Sequence, residues 1–529
     1  MQNIDHHLYV RTKNSLRNST VALVLQIVSM LVGFFARRVF IRYLGVEVMG
    51  LNTTITSILN FLNLAELGIS MAISVTLYKP LFERDEKAIR EIMALQGRMY
   101  RIIGSIVLAG GLVVLFFIPG IFNKSTLPLW YPYSTFCVLL YSSLLWYFFN
   151  YKKNLLYADQ QNHKVLLCTK LVSLVKQTAQ ILAVLYLDNG YIWWLAIEAA
   201  ASTVSTVLVW IIVDRNYPFL REGVDINLSL SRKYPGVIQK IKYIAFHKLG
   251  SFALSQSSPI FIYAFTSLST VGFYGNYILL TTNLTAIFSA LSAGLSAGIG
   301  NMVAEGEKRL IIKVFRELFS SRMLIVGICC ICLWFLTEPF ICIWLGSGYL
   351  LGRTTLALLI CQFFISNTRN VVDDYLVAYG LFQDIWSPVA ETILNVGLAL
   401  VLGSRFGLNG VLLAVLVSQL VIVFTWKPIF LMLKGLKEPY SFYVKLYFKC
   451  FLPCLLAFGA AFVVSRVMNI DPYSGIWRFI AYSLAIGATS TVVYCSVLYF
   501  TEDGIRDFFD RLKTVLTTRG LRQATDTER

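Results

Sequence analysis

The sequence predicts an all-α polytopic membrane protein of about fourteen transmembrane helices: two parallel six-helix lobes followed by two extra C-terminal helices. Three observations predict it. Apolar runs of about 20 residues recur along all 529 residues, each long enough to cross about 30 Å of hydrocarbon. The composition is 57% hydrophobic and only 14% charged, which excludes an ordinary soluble domain. The basic residues are also strongly sided. With no water to satisfy the backbone, such runs must be helices, since barrel strands would alternate over about 10 residues.

In chain order the expected crossings are 19–41, 48–78, 101–122, 130–150, 165–187, 190–213, 243–267, 273–300, 322–345, 352–379, 385–403, 409–433, 448–468 and 476–500. The polar, basic first 18 residues lack a short apolar core and a cleavage site, so no removable leader is expected. The second run is long for one crossing, which predicts tilt or a break near Glu66-Leu67-Gly68. Of the 46 lysines and arginines, 34 fall in alternate connections on one side and 8 on the other. That asymmetry puts both termini in the cytoplasm and agrees with an even number of crossings.

The two halves repeat with an offset near 222 residues. Gly45 and Gly50 are answered by Gly272 and Gly275, Glu86-Lys87 by Glu307-Lys308, and Arg101 by Arg322. Tyr157 matches Tyr379, and Gly190 matches Gly410. Six crossings per repeat make the copies parallel, a plan that places a cleft between lobes and suits alternating access. The expected organisation is an N-terminal lobe (1–213), a cytoplasmic linker (214–242), a C-terminal lobe (243–433), two extra helices (434–500) and an amphipathic tail (501–529). In the tail, Ile505, Phe508, Phe509 and Leu512 share a helical face opposite Arg506, Asp510 and Arg511, as in a helix lying on the inner leaflet or docking a partner.

The net charge of +17 sits at the ends of apolar runs, where cytoplasmic loops carry it, and does not indicate nucleic acid. The ten cysteines lie mostly inside helices without paired spacing, so neither a metal site nor a disulfide framework is indicated. No nucleophile–base arrangement or phosphate-cradling glycine loop is visible, and no cofactor is expected. The chemistry is that of transport, not catalysis.

Ionisable side chains inside a bilayer are costly unless paired or wet, so each is a candidate. Arg37, Arg38 and Arg42 close the first helix, where snorkelling is the alternative role. Lys176 lies about 16 Å into its crossing at 1.5 Å per residue, near the midplane. Lys170 points about 240° away from it on the same helix, and both Lys170 and Lys248 sit near the cytoplasmic edge. Arg369 and Asp373 are spaced to neutralise each other, leaving Asp374 without an evident partner. Glu66, Glu198 and Glu391 complete the set. Glu66, Asp373 and Asp374 are the ion-coupling candidates, because burial can bring a carboxyl towards neutral pH. The bases are candidates for an anionic substrate, being five against two acids in the first lobe and two against three in the second.

From Arg37-Arg38-Val39-Phe40-Ile41-Arg42 through Leu44-Gly45-Val46-Glu47-Val48-Met49-Gly50, Phe61-Leu62-Asn63-Leu64-Ala65-Glu66-Leu67-Gly68 and Leu77-Tyr78-Lys79-Pro80-Leu81-Phe82 to Tyr100-Arg101, the order and spacing resemble the opening of the bacterial polysaccharide transporter family. These are the O-antigen, capsule and exopolysaccharide flippases (Wzx type) of the MATE-like MOP flippase superfamily. The resemblance extends more weakly to about Phe500. It implies a MATE-like fold in the bacterial inner membrane and alternating-access flipping of an undecaprenyl-pyrophosphate-linked oligosaccharide. A polymerase or glycosyltransferases would be partners. A MATE-type proton- or sodium-coupled exporter, a lipid II flippase and a non-transporting scaffold are the alternatives.

Overall fold

The computed structural model describes residues 27–66, 69–159, 161–221, 256–292, 295–381, 384, 386–511 and 513–514. Most of the expected linker, Lys248 and the end of the tail lie outside them. The described residues are helical throughout, and seven helices are long and apolar enough to cross a membrane.

Helix α1 (27–44) stops at Gly45, whose φ of 90° is the left-handed region that glycine occupies without strain. Helix α2 (Val46–Leu62) then runs into a 3₁₀ turn, Asn63–Glu66, before α3 (Ile69–Glu83). The long second run is therefore broken at Glu66, as its length predicts. Helix α4 (Glu86–Ile121) is capped by Asp85, whose carboxylate accepts from the Ala88 amide at 3.0 Å. Next come α5 (Trp130–Phe148), the short α6 (Lys153–Ala158), α7 (Asn162–Tyr186) and α8 (Gly190–Asn216).

The second series begins with α9 (256–265), α10 (Leu268–Ser292) and α11 (Leu295–Glu305). It continues with α12 (Lys308–Trp344), α13 (Arg353–Thr368) and α14 (Asn370–Ala378). The stretch α15 (Trp386–Ser418) is broken in two at Gly407, whose φ of 56° and ψ of −129° are not helical, and it continues to Leu436 through π-helical turns (Gln419–Trp426 and Leu431–Leu436) on either side of an α-helical turn, Lys427–Phe430. Helices α16 (Tyr440–Val467), α17 (Ile476–Thr501) and α18 (503–511) close the described chain. The element order repeats: a helix pair with a break, a helix of 36 or 37 residues, a helix with a short continuation, then a pair.

The chain forms two compact units, residues 1–279 and 280–529. In the first, the glycine repeat becomes a reciprocal contact. A Cβ on Gly50 would lie 1.8 Å from the Leu268 carbonyl oxygen, and one on Gly272 would lie 2.5 Å from that of Val46. The same 222 residues separate Val46 from Leu268 and Gly50 from Gly272, so two equivalent helix starts cross backbone to backbone. Only glycine allows that approach.

In the second unit, α12 is the centre, with α13, α16 and α17 packed along it. Tyr494 on α17 is fully buried and donates to the carbonyls of Met323 (3.2 Å) and Cys450 (3.0 Å), tying the two extra helices to α12. The tail differs from the inner-leaflet expectation. Ile505 is fully buried, and Phe508 and Phe509 pack on the same core as Phe315 and Phe319. Arg316–Glu502 (2.6 Å), Lys313–Asp507 (3.0 Å) and Arg511–Glu317 (2.8 Å) fasten α18 to the start of α12. Its apolar face covers the protein, because α12 extends far enough at its charged end to receive it. Burial raises the Glu317 carboxyl, with Arg511 acting against that rise.

The sidedness of the basic residues yields a topology prediction. Reporters fused after Arg529 or within 214–242 are expected in the cytoplasm, and reporters near Lys124 or Asn409 outside. A cytoplasmic signal at Asn409 would break the helix count and the repeat together.

Candidate functional site

The first unit holds a polar cavity of about 330 Å³ between α2, α5, α7 and α8. Nine of its sixteen lining residues carry a hydroxyl or an amide, among them Asn60, Ser142, Asn150, Ser173 and Ser205, set in an otherwise largely apolar wall with Trp146 as the one aromatic ring among them. Several threonines on these helices return their hydroxyl to a carbonyl one turn back, as Thr169 does to Val165 at 2.9 Å and Thr203 to Ala199 at 2.9 Å.

Lys176 lines this cavity, but it is not an isolated cation. Its Nζ lies 2.8 Å from Glu198 Oε1 on α8, with the two side chains 24% and 20% exposed. Glu198 Oε2 accepts from Gln180 Nε2 at 3.0 Å, one turn further along α7. Lys176 and Glu198 come from adjacent crossings, 22 residues apart, whose antiparallel pairing across the Asn189–Gly190 turn brings them level. The excess of bases in the first lobe is correspondingly smaller than residue counting implies.

A second cluster forms at the break in the second crossing. Glu66 Oε1 accepts from the Tyr100 hydroxyl at 2.8 Å and from the Ser70 hydroxyl at 3.2 Å. In the same turn, Asn63 Oδ1 accepts from Tyr147 at 2.9 Å. The broken helix thus presents two acceptors that α4 and α5 answer with tyrosines. Nearby, the Lys153 ammonium sits 3.2 Å from the centre of the Trp146 ring, a cation–π contact on a residue that also lines the cavity. Burial pulls Lys153 down to about 8, while the Glu66 carboxylate acts to raise it.

The remaining candidates divide. Arg37 is engaged within the first unit: its Nε donates to Asn276 Oδ1 at 2.6 Å, and its guanidinium lies over Gly275, where a Cβ would come within 2.7 Å. Arg38 and Arg42 are exposed and form no ion pair among the described residues. Lys170 does not line the cavity, in agreement with its angular position on α7. Lys248 lies outside the described residues.

In the second unit, Arg369 and Asp373 pair at 2.7 Å, as their spacing predicts, and Lys427 adds a second contact to Asp373 at 3.2 Å. Glu391 is 2% exposed and lies within the electrostatic reach of Arg369 and Lys427. Asp374 does have a charged neighbour, contrary to the sequence expectation: buried Arg322, which donates to the Asn367 carbonyl at 2.9 Å, lies in its field. Arg322 was visible in the sequence as the repeat mate of Arg101 but stood at a predicted helix edge. Lys427 and Gln180 went unrecognised, Lys427 because it falls at the inner end of its crossing and Gln180 because an amide carries no charge signal. Glu338, near the far end of α12, pairs with Arg353 at 2.7 Å. A separate cavity of about 240 Å³, lined by Leu280, Cys329, Leu336, Phe340 and Phe479 among others, is apolar.

No family model and no curated protein matches the chain. Solved structures do. The lipid II flippase MurJ in an inward closed conformation aligns with a TM-score of 0.62 at 13% identity, covering 91% of this chain and 99% of that one. An inward-facing multidrug resistance MATE family transporter of the MOP superfamily aligns at 0.55 and 14% identity, covering 79% and 99%. A MOP superfamily transporter from Pyrococcus furiosus, reported to have a binding pocket of reversed polarity, aligns at 0.54 and 13% identity, covering 81% and 97%. At these identities the likeness is one of fold: an all-α, multi-pass arrangement like that of these solved structures.

Proposed function

We propose that this protein is a flippase that moves an undecaprenyl-pyrophosphate-linked oligosaccharide across the bacterial inner membrane by alternating access, for O-antigen, capsule or exopolysaccharide synthesis. The cavity of the first unit carries the reading. Hydroxyls and amides match the donors and acceptors of a glycan, Trp146 offers a face for a sugar ring, and Lys176 offers a charge for a phosphate. Its volume lies in the range of small-molecule sites, about 300–1,000 Å³. Arg38 and Arg42 supply further cationic contacts, and Lys170, Lys248 and Arg369 are kept as outlying ones. The lipid tail stays in the bilayer. Glu66 is the favoured coupling group, ahead of Asp373, which two cations already hold, and Asp374.

A lipid II flippase is the alternative that the likeness to MurJ supports, since that alignment covers 91% of this chain. A MATE-type exporter of cations would want a free carboxylate in the cavity, whereas Glu198 is neutralised by Lys176. The test is deletion in the native host. Lipid-linked oligosaccharide is expected to accumulate on the cytoplasmic face while peptidoglycan precursors turn over normally. Accumulation of lipid II instead would establish the alternative, and accumulation of neither would remove both.

A further inference from the structure

Lys176 and Glu198 are the only charged side chains that line the first-unit cavity among the described residues, and each is the other's partner. An arriving anion therefore meets a lysine that is already satisfied. It must compete with the glutamate for that one positive charge.

We infer that the cavity binds its anionic group by ion-pair exchange, in which Glu198 gives up Lys176 to the incoming phosphate and takes one proton from solution. This rests on the phosphate-bearing substrate proposed above. The balance is simple. The ammonium keeps its three protons, its contact with Glu198 Oε1 breaks, and a contact with a phosphate oxygen forms. One proton from solution then joins the Glu198 carboxylate, so the cavity gains the charge of the anion plus one. Without that proton, a carboxylate and a phosphate would share one cation in a site of reduced dielectric, and like charges so placed disfavour joint ionisation. Gln180 makes the protonated state tenable. Its Nε2 already donates to Glu198 Oε2, and it continues to donate to the carbonyl oxygen of a neutral carboxyl.

Among the described residues, no other titratable group lines the cavity. From α7 the carboxylate faces Lys176 and Gln180. From α5 the cavity wall is Ser142, Ser143 and Trp146, from α2 it is Thr56 and Asn60, and Asn150 stands between α5 and α6. The remaining titratable groups on these packed elements are held elsewhere or lie off the cavity. Tyr141 bonds Thr203, Tyr147 bonds Asn63, Lys153 stands on the Trp146 ring, and Lys152, Lys170 and Cys137 do not line it.

The experiment is calorimetric binding of inorganic pyrophosphate to the purified full-length protein in detergent. It is run in two buffers of different ionisation enthalpy, from about pH 5.5 to about pH 8, so that proton uptake is counted directly. The wild type is expected to take up close to one proton more per bound pyrophosphate than Glu198→Gln does. Its affinity is expected to fall by up to about tenfold per pH unit relative to that variant. Subtracting the variant cancels the ionisation of pyrophosphate itself. Equal proton uptake by the two proteins, both binding, overturns the exchange and leaves the anionic-substrate reading standing. Wild-type binding that Lys176→Gln leaves unchanged, or no binding at any pH, overturns the anionic-substrate reading and the exchange with it. If Glu198→Gln does not insert, Glu198→Asn takes its place as the non-titrating comparison, and absence of excess uptake by the wild type overturns the exchange.

Discussion

Lys176→Ala is expected to reduce glycan export more than any other single change among the basic residues. It removes the one cation that lines the cavity among the described residues, and a lost charge-assisted contact typically costs about 1.5–3 kcal/mol, roughly ten- to a hundredfold in affinity. The ion pair adds a second effect. Removing the lysine leaves Glu198, a side chain 20% exposed, with the Gln180 contact and without its cation, so part of the loss will be in folding. Lys176→Arg should keep part of the activity, since charge survives while the contact geometry changes. Arg38→Ala and Arg42→Ala should follow Lys176→Ala in severity, and Lys170→Gln should cost little. The measurement is complementation of a polysaccharide-export-deficient strain, with each variant's membrane level quantified. Normal insertion and normal export by the alanine variants at 38, 42 and 176 would sink the anionic-substrate reading.

The pair also shows where sequence reasoning runs out. A lysine about 11 residues into an apolar run is legible as an unusual group, because burial of a charge is costly wherever it occurs. Its partner is not legible in the same way. Lys176 and Glu198 sit on neighbouring crossings, and their meeting depends on the turn at Asn189–Gly190 and on the rotation of both helices. Neither is written in the spacing of one segment. Arg369 and Asp373 were readable as a pair because one helix turn joins them. Lys427, which completes that cluster from 54 residues away, was not.

The fold was legible for a related reason. Length and hydropathy specify crossings segment by segment, and a second run too long for one span called for tilt or a break near Glu66, of which the structure has the break. The repeat was visible as glycines, and the structure supplies the cause. Gly50 and Gly272 are each required by the backbone of the other's helix pair, not by a turn within their own. The tail misled because amphipathic periodicity states that a face will be covered without saying by what. Here Glu502, Asp507 and Arg511 find Arg316, Lys313 and Glu317 on α12, and the apolar face goes with them.

Glu66→Gln is expected to abolish gradient-driven transport while leaving the protein folded and inserted. The side chain is held by Tyr100 at 2.8 Å and Ser70 at 3.2 Å, both to Oε1, in the 3₁₀ turn that divides α2 from α3. A glutamine fills the same space, and its carbonyl accepts the same two hydroxyl protons, so the helix break survives. What it loses is the ability to gain and release a proton. Tyr100→Phe should retain transport at reduced rate, since it removes one hydrogen bond to a charged acceptor, worth about 1.5–3 kcal/mol, and leaves the carboxyl in place. Asp373→Asn sets the contrast. It deprives both Arg369 and Lys427 of their anion, and breaking such a partly buried network by removing one partner costs up to about 3–5 kcal/mol. The expected phenotype there is low membrane abundance. The two roles separate by measuring transport per inserted molecule in proteoliposomes with and without an imposed proton gradient. Glu66→Gln should show no response to the gradient at normal abundance, and Asp373→Asn should show low abundance with a normal response per molecule. A full gradient response by Glu66→Gln would remove Glu66 as the coupling group, and a lost response at normal abundance for Asp373→Asn would transfer that role to the second unit.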